Sequence, residues 1–391
     1  MEGSSVKPFA DEELGESARM AADALAMKPT RTIATNMLHV MDMAFIEQRA
    51  GHPPSAYRAD PDRVYLDFQR SIGAGMIDQY IPDNPLTMGD LGYEPDATRT
   101  ASTGAAAVVL DGLAIDSPEA VAEHLERFVF PRLEQAAATT DPLNAQAVAA
   151  LIRKERSIQA LFGPSILKVP YDGFQDFCRL RYTTYGYANY FAAYLMYPEL
   201  IEKDFALQAD LAVKTNTLAA RAIVEGRLPR VVRLDHDMAD SRGTLVDVRS
   251  LDRMWFPHFA RAIRPHLEAG IRLLWHCDGN LMAMVPRLIE AGVGGFQGFQ
   301  YEDGMDYERI CQMRTCEGGP LMIWAGVSVT TTLPHGTPAD VRQQLAWLVD
   351  HGPKAGLTLG ASSSITPGVS WENLDALIEG LAYYRSHGRG G

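Results

Sequence analysis

The sequence has few cysteines, a shortage of positive charge and no long apolar run, and each shortage argues against a class of protein. Four cysteines among 391 residues are too few and too scattered for a disulfide scaffold, so we expect a reducing, cytoplasmic setting. The 36 Lys and Arg face 49 Asp and Glu, a net charge of -13, which argues against nucleic acid or an anionic membrane surface as the main partner. The sequence contains no stretch of about eighteen apolar residues, the length that a membrane-spanning helix needs, and its first residues lack the apolar segment of a signal peptide.

The sequence also lacks a Gly-x-Gly-x-x-Gly motif after an early strand, which weakens a doubly wound, dinucleotide-binding sheet as the fold. What it has is a repeated alternation of short β-branched or apolar runs with longer segments of helical periodicity. This alternation predicts a parallel sheet and favours an α/β (β/α)8 TIM barrel, with the doubly wound sheet as the alternative. The predicted strands are 32–38, 75–81, 165–170, 230–235, 271–276, 295–300, 321–327 and 356–361. The predicted helices include 187–225, with Pro198 beginning a new helix, 252–269, 281–291, 337–351 and 371–386.

We predict an N-terminal helical extension over residues 1–30 and a single barrel domain over residues 31–391. Residues 85–116 look inserted, because Gly, Thr, Ser and Pro are followed by an apolar run at 105–110 and an Asp111-Gly112 turn. This pattern predicts a β-hairpin. Insertions after a barrel strand often cover the active site.

Polar residues gather where the predicted strands end. Because the active sites of barrels lie at the carboxyl ends of the strands, these residues are the candidates for a site. Each has a structural alternative, since an aspartate could close a turn and Asn280 could cap the following helix. Five strand ends that turn polar together favour function. The candidates at these ends are Asp235, Asp237, His276, Asp278, Asn280, Gln300, Glu302, Ser328 and Ser363.

His276 is the most informative candidate, because it follows an apolar strand and precedes a glycine turn. It could act as a general acid or base, or bind a metal beside Asp237, Asp278 or Glu302; the alternative is a hydrogen-bonded histidine that orients its neighbours. Tyr185 belongs to an aromatic run that could line a cleft for a flat substrate, although the later tyrosines of the run have the helical spacing of a packed core.

Several segments in the same order resemble the uroporphyrinogen decarboxylase superfamily, over about residues 160–385. The central one is His-Cys-Asp-Gly-Asn at 276–280, and the first 150 residues match poorly. The other matching segments are 235–237, 255–259, 288–296, 304–306, 333–341, 360–365 and 371–374. The resemblance implies a (β/α)8 barrel that works either as a porphyrinogen decarboxylase or as a methyltransferase acting among methoxy compounds, thiols and corrinoid proteins.

The sequence also differs from two motifs of the superfamily, each of which is tied to one reaction. Decarboxylases of the superfamily grip propionates through an Arg-Gln-Ala-Gly-Arg-Tyr stretch, and here Arg49 is one place off while His52 replaces the second arginine. Thiol-methylating members hold zinc through His-x-Cys and a later Cys, and here His276 is kept, Asp278 replaces the first Cys, and Ser362 or Ser363 replaces the last. Oxygen ligands in place of thiolates weaken the case for thiol activation.

Our first hypothesis is therefore a methyltransferase that moves a methyl group from a small methoxylated substrate, either aromatic or non-aromatic, to a corrinoid carrier protein. Its catalytic residues would be His276, Asp237, Asp278 and Glu302, and zinc could bind His276, Asp278 and Glu302. Asp78, Asp235, Asn280, Gln300, Ser328, Ser363, Tyr185 and Arg49 would contact the substrate. The alternatives are a cofactor-free decarboxylase that uses Asp78 or Asp237 with Arg49, and a barrel that binds a ligand without chemistry. A homodimer is expected from base rates.

Overall fold

The computed structural model of the chain describes residues 14–83 and 108–389. It has twelve strands, numbered here in chain order, and each of the eight predicted strands forms around a shorter hydrogen-bonded segment. The strands are β1 Ala34–Thr35, β2 Met76–Ile77, β3 Val108–Leu110, β4 Leu113–Ile115, β5 Leu167–Lys168, β6 Val231–Asp235, β7 Ala239–Asp240, β8 Gly243–Thr244, β9 Arg272–His276, β10 Gly295–Gln297, β11 Met322–Val327 and β12 Leu357–Ala361.

The eight predicted strands lie side by side and run parallel. Six form one sheet in the order β1-β12-β11-β10-β9-β6, and β2 pairs with β5. A parallel bridge from Asn36 to Met76 joins β1 to β2, so the series continues across both sheets. Within the described residues no hydrogen-bonded ladder joins β5 to β6. The architecture is therefore TIM-barrel-like α/β, with the ring of hydrogen bonds open at one seam where the sequence predicts a closed (β/α)8 barrel.

Helices follow most of the parallel strands, as a βα series requires. The predicted break at Pro198 is confirmed, because one helix ends at Met196 and the next begins at Pro198. The helix predicted over 281–291 begins only at Val285, because Asn280 closes a turn and Pro286 stands in the first helical turn. The helices are Glu16–Leu25, Met43–Arg49, Ala56–Ala59, Pro61–Ser71, Pro118–His124, Phe130–Thr139, Ala145–Phe162, Tyr182–Tyr185, Tyr187–Met196, Pro198–Gly226, Val248–Met254, Phe256–Glu268, Val285–Ala291, Tyr307–Gln312, Thr332–His335, Pro338–His351 and Trp371–His387. A π-helical turn, Leu125–Val129, and a 3-10 turn, Tyr301–Asp303, complete the set.

Two cores follow from the alternation of side chains along the strands. One face of β6 and β9 carries Val232, Leu234, Leu273 and Trp275, which pack in the large core beneath the helices. The opposite face of these strands points into the space that the parallel strands surround. A smaller cluster there consists of Ala21, Ala34, Met76, Val169, Val231, Leu274, Met322 and Trp324. Ala21 belongs to the helix Glu16–Leu25, so this first helix packs against the interior from the end where the strands begin.

The predicted hairpin is present where the structure describes it. β3 and β4 pair antiparallel, and Asp111 and Gly112 both have positive φ, 52° and 79°, as a two-residue hairpin turn requires. The rest of the predicted insertion, up to residue 107, and the first thirteen residues lie outside the described residues. None of the helices in the described residues is long and apolar enough to cross a lipid bilayer.

Candidate functional site

The strand register places four large side chains in one row, at the carboxyl ends of β6, β9 and β10 and in the middle of β11. Asp235 pairs with His276, His276 with Gln297, and Gln297 with Trp324. Cα partners in a parallel sheet direct their side chains to the same face. All four of these side chains line one cavity of about 200 Å³.

Most of the cavity wall is polar. It is formed by residues that follow β1 and β2, by the ends of β6, β9, β10 and β12, and by Trp324 of β11. The residues that line it are Asn36, Met37, His39, Asp78, Gln79, Arg233, Asp235, His276, Gln297, Trp324, Ala361, Ser363 and Ser364. Three residues of this wall, Asp78, Asp235 and Ser363, were predicted from the sequence to contact substrate.

Arg233 occupies the floor of the cavity and is only 5% exposed. Its Nε donates to Asp78 Oδ2 at 2.6 Å, and its Nη1 donates to Asp235 Oδ2 at 3.0 Å. Burial alone would lower the pKa of Arg233, but Asp78 and Asp235 outweigh it and raise the pKa above its ordinary value. Tyr171 completes the network by donating its hydroxyl hydrogen to Asp235 Oδ2 at 2.9 Å.

Asp235 stays ionised in this network. Burial works to raise the pKa of its carboxyl group, but His276 and Arg233 outweigh burial and bring the pKa below its ordinary value. Nε2 of His276 lies 3.9 Å from Asp235 Oδ1, beyond hydrogen-bond distance. On the other side of the cavity, Nδ1 of His39 lies 2.9 Å from the Ser364 hydroxyl. Burial, with Arg233 as the smaller cause, lowers the pKa of His39 to about 4, so its ring is neutral at physiological pH.

His276 forms a compact group with the two aspartates that follow β6 and β9. One ligand atom from each of Asp237, His276 and Asp278 lies within 4.8 Å of the others. The amide N–H of Asp278 donates to Asp237 Oδ1 at 3.0 Å, and the Ser363 hydroxyl donates to Asp278 Oδ2 at 3.3 Å. Burial is the main cause that raises the pKa of Asp237, and the charges of Asp278 and Asp235 add to the rise.

The donor set of this group suits a divalent cation. Nδ1 of His276 and Oδ1 of Asp278 are buried and have no hydrogen-bond partner among the described residues. Unpaired buried polar atoms are costly, and a bound cation is one way to satisfy them. Catalytic zinc sites use three protein ligands and keep a position open for water or substrate, and the imidazole and two carboxylates of this group supply three ligands of types that zinc accepts. Of the three residues that the sequence suggested for a metal beside His276, Asp237 and Asp278 are therefore the candidate ligands.

Glu302 does not belong to this group among the described residues. It lies exposed in the turn Tyr301–Asp303, and its Oε1 accepts the hydroxyl hydrogen of Ser328 at 3.0 Å. Neither residue lines the cavity. The sequence predicted that Glu302 completes a ligand set with His276 and Asp278, and in the structure Glu302 lies outside that group. The chain changes direction after Gln297, where Gly298 has a φ of 81°.

Two further candidates hold the backbone beside His276. Gln300 Oε1 accepts from the amide of Gly279 at 2.7 Å, and Asn280 Oδ1 accepts from the amide of Met282 at 3.2 Å. These side chains fix the turn that carries Asp278. That Gln300 and Asn280 contact the substrate stays a prediction, whereas their hydrogen bonds to the backbone of this turn are present in the structure.

Tyr185 and Arg49 lie away from the cavity. Tyr185 was predicted to line a cleft for a flat substrate, but it is in the short helix Tyr182–Tyr185, is 1% exposed, and its hydroxyl lies 2.9 Å from Nδ1 of His124. Arg49 is on the helix Met43–Arg49, where its Nη1 lies 3.6 Å from Asp375. Burial in a helical core removes the first from solvent, and helix geometry points the second to the surface.

The sequence interpretation missed Arg233, His39 and Gln297. Arg233 was hidden inside an apolar strand, although its spacing of two from Asp235 puts both on one face. A charged residue in the middle of a predicted central strand was the available signal, because such a charge needs buried partners. His39 and Gln297 carried no comparable signal.

Comparison with known proteins gives a match in structure and none in sequence. No family model matches the chain, and no curated protein matches it. A methyltransferase from Methanosarcina mazei has a similar structure, with a TM-score of 0.54 at 13% sequence identity. The match covers 94% of this chain and 98% of the methyltransferase. The two chains therefore share a fold over nearly their whole lengths.

Proposed function

We propose that the protein is a methyltransferase of the uroporphyrinogen decarboxylase superfamily, built on a (β/α)8 barrel, which moves a methyl group from a small methoxylated ring to a corrinoid carried by a separate protein. The observation that carries the proposal is the group of Asp237, His276 and Asp278 beside a polar cavity at the carboxyl ends of the strands. The shared fold with a methyltransferase and the resemblance of the segment 276–280 support the same choice.

A divalent cation, with zinc the first candidate, would be held by His276, Asp237 and Asp278. Such an ion supplies Lewis acidity toward an ether or hydroxyl oxygen when it is bound. The chain's own residues position the reacting groups: Gln300 and Ser363 hold the loop of Asp278, and Arg233 holds Asp78 and Asp235 at the floor.

The proposed reaction transfers a methyl group from the ether oxygen of the substrate to the corrinoid of the carrier protein. The O–CH3 bond of the substrate breaks, and the electron pair of the carrier's reduced corrinoid takes the methyl group. The substrate oxygen keeps the pair of the broken bond until it gains a proton. Polar side chains that reach the leaving oxygen make it a better leaving group.

Porphyrinogen decarboxylation has weaker support. A substrate with many carboxylates needs several cations, because paired Arg contacts carry that recognition. Arg49 pairs with Asp375 outside the cavity, and Arg233, the one arginine among the described residues that line the cavity, is engaged by Asp78 and Asp235. Release of carbon dioxide from uroporphyrinogen would nonetheless overturn the methyltransferase proposal.

Elemental analysis tests the metal group. We expect stoichiometric divalent metal in the purified protein and its loss from His276→Ala and Asp278→Asn, with the exposed His335→Ala as the matched control that keeps its metal. A methyl-transfer assay with a methoxyarene panel and a reduced corrinoid carrier tests the reaction. Metal-free wild-type protein, or folded protein that transfers no methyl group to any carrier, would count against the proposal.

A further inference from the structure

The guanidinium group of Arg233 is nearly saturated by protein acceptors. Besides Asp78 and Asp235, its Nη1 donates to Gln297 Oε1 at 3.4 Å and its Nη2 donates to Gln79 Oε1 at 3.2 Å. A guanidinium has five N–H bonds, and these four contacts engage most of them. One face of the group also covers the ring of Tyr171, 4.9 Å from the ring centroid. Arg233 is thus committed to the wall and offers little to a ligand carboxylate.

The other cations near the cavity are committed in the same way. Nζ of Lys168 is buried and donates to the carbonyl of Asp78 at 2.9 Å, and it lies 3.1 Å from Glu155. Nη1 of Arg179 donates to the carbonyl of Asp235 at 3.3 Å, and neither Lys168 nor Arg179 lines the cavity. His39 is neutral at physiological pH because burial lowers its pKa to about 4.

The wall of the cavity therefore carries a net negative charge. Two carboxylates, Asp78 and Asp235, face the single guanidinium of Arg233. A divalent cation on His276, Asp237 and Asp278 would keep the His276 ring neutral, because a coordinated imidazole is unprotonated, and it would cancel only the charges of the two aspartates. In a cavity of low effective dielectric constant, an uncompensated charge repels an anion strongly, and the anion also loses its hydration on entry.

We infer that the cavity accepts neutral or ammonium-bearing methoxylated rings and rejects anionic ones. This inference rests on the proposed function and names the substrate class of the same site. The size of the cavity agrees with it, because a cavity of roughly 150 Å³ holds a benzene ring and this one measures about 200 Å³. The side-chain amide of Asn36 and the hydroxyl oxygen of Ser363 line the cavity and can form hydrogen bonds with a neutral polar substituent, in accord with the mixed lining of small-ligand sites.

Three ligands of nearly equal shape separate charge from size: para-methoxybenzylamine, para-methoxybenzyl alcohol and para-methoxybenzoate. Binding to the purified metal-loaded protein is measured by calorimetry and by the fluorescence of the tryptophans, one of which, Trp324, lines the cavity. We expect the amine to bind at least as tightly as the alcohol, and the benzoate to bind at least about tenfold more weakly than the alcohol. Equal or tighter binding of the benzoate overturns the inference, and so does the absence of binding by all three ligands.

A charge variant tests the cause. Asp235→Asn removes one carboxylate from the wall and should narrow the gap between the alcohol and the benzoate, whereas Glu372→Gln, at an exposed position of the helix Trp371–His387, should leave it unchanged. If Asp235→Asn unfolds, Asp78→Asn is the second variant, and the wild-type comparison stands without either. Methyl transfer is assayed with the same ligands. The expected binding order without any transfer would refute the proposed function alone, and transfer from the benzoate as efficient as from the alcohol would refute the charge inference alone.

Discussion

Gly298 determines where the ring of His276 can lie. It has a φ of 81°, and a Cβ built at this position would overlap Nδ1 and Cε1 of the His276 ring. Gly298→Ala should displace the imidazole from the group it forms with Asp237 and Asp278. We expect the affinity for the divalent metal to fall about 10–100-fold, as it does when groups that orient a ligand are changed. Metal titration monitored by calorimetry measures this affinity.

The matched control is Gly51→Ala. Gly51 has a similar φ of 74°, but a Cβ there would meet nothing within 4 Å. Both variants bear the cost of about 1 kcal/mol for an L-residue in the left-handed region, and only Gly298→Ala adds the overlap with His276. Equal metal affinity in the two variants would contradict the positioning role of Gly298.

Single site residues were predictable where a simple rule links the position of a residue in the sequence to its location in the fold. His276 and Asp278 follow a strand end, and the chain order alone brings strand ends together in a barrel. The partners of Arg233 could not be identified from the sequence, because Asp78 and Gln79 are about 155 positions away along the chain and no local pattern joins them to Arg233. Long-range pairing of buried charges is set by tertiary structure, which a sequence reading of neighbours does not contain.

At the level of elements, a chain of hydrogen bonds ties the inserted hairpin to the helices. Arg132 makes two bonds to the Asp111 carboxylate, Asp111 Oδ2 lies 2.9 Å from Nε2 of His124, and His124 meets the Tyr185 hydroxyl. Tyr185→Phe removes one hydroxyl and leaves a buried histidine nitrogen unpaired. We expect a loss of about 1–2 kcal/mol in the free energy of unfolding, measured with denaturant, because an unpaired buried polar group is costly.

The same variant separates the two roles considered for Tyr185. Its affinity for para-methoxybenzyl alcohol should match that of the wild-type protein, since Tyr185 does not line the cavity. Tyr383→Phe, at an exposed position, is the control and should change neither quantity. Weaker ligand binding at unchanged stability would restore the substrate contact predicted from the sequence.

Elements were predicted more accurately in position than in length. β6 and β9 were placed to within a residue, because their buried apolar runs end at charged or polar positions. β1 and β2 are two residues each, shorter than their apolar runs, since strand length depends on the neighbours that are available for hydrogen bonding. The hairpin turn was recoverable because Asp-Gly suits the positive φ values of both turn positions.

For the whole molecule, the order of strands is the property that the sequence predicted best. Alternating strands and helices of ordinary length leave few arrangements, and connections between parallel strands keep one hand. The open seam between β5 and β6 could not be predicted. The segment after β5 meets β6 through side chains, since the Tyr171 hydroxyl donates to Asp235 Oδ2 and Gln175 Oε1 accepts from the amide of Asp235, and hydrophobic periodicity does not encode such contacts.

The whole molecule should lose stability in acid partly through histidines that fold in the neutral form. Burial lowers the pKa of His266 from 6.5 to about 4. Between these values the unfolded chain binds a proton that the folded chain does not, so the contribution of His266 is complete above pH 6.5 and declines as the pH falls toward 4. The decline in unfolding free energy amounts to roughly 3 kcal/mol for this residue.

The variant His266→Leu should therefore reduce the difference in unfolding free energy between neutral pH and pH 4 by that amount. The control variant His335→Gln, at an exposed position, should keep the full difference. Denaturant unfolding across this pH range gives both values, and an identical decline in His266→Leu and wild type would show that this ring is not the source.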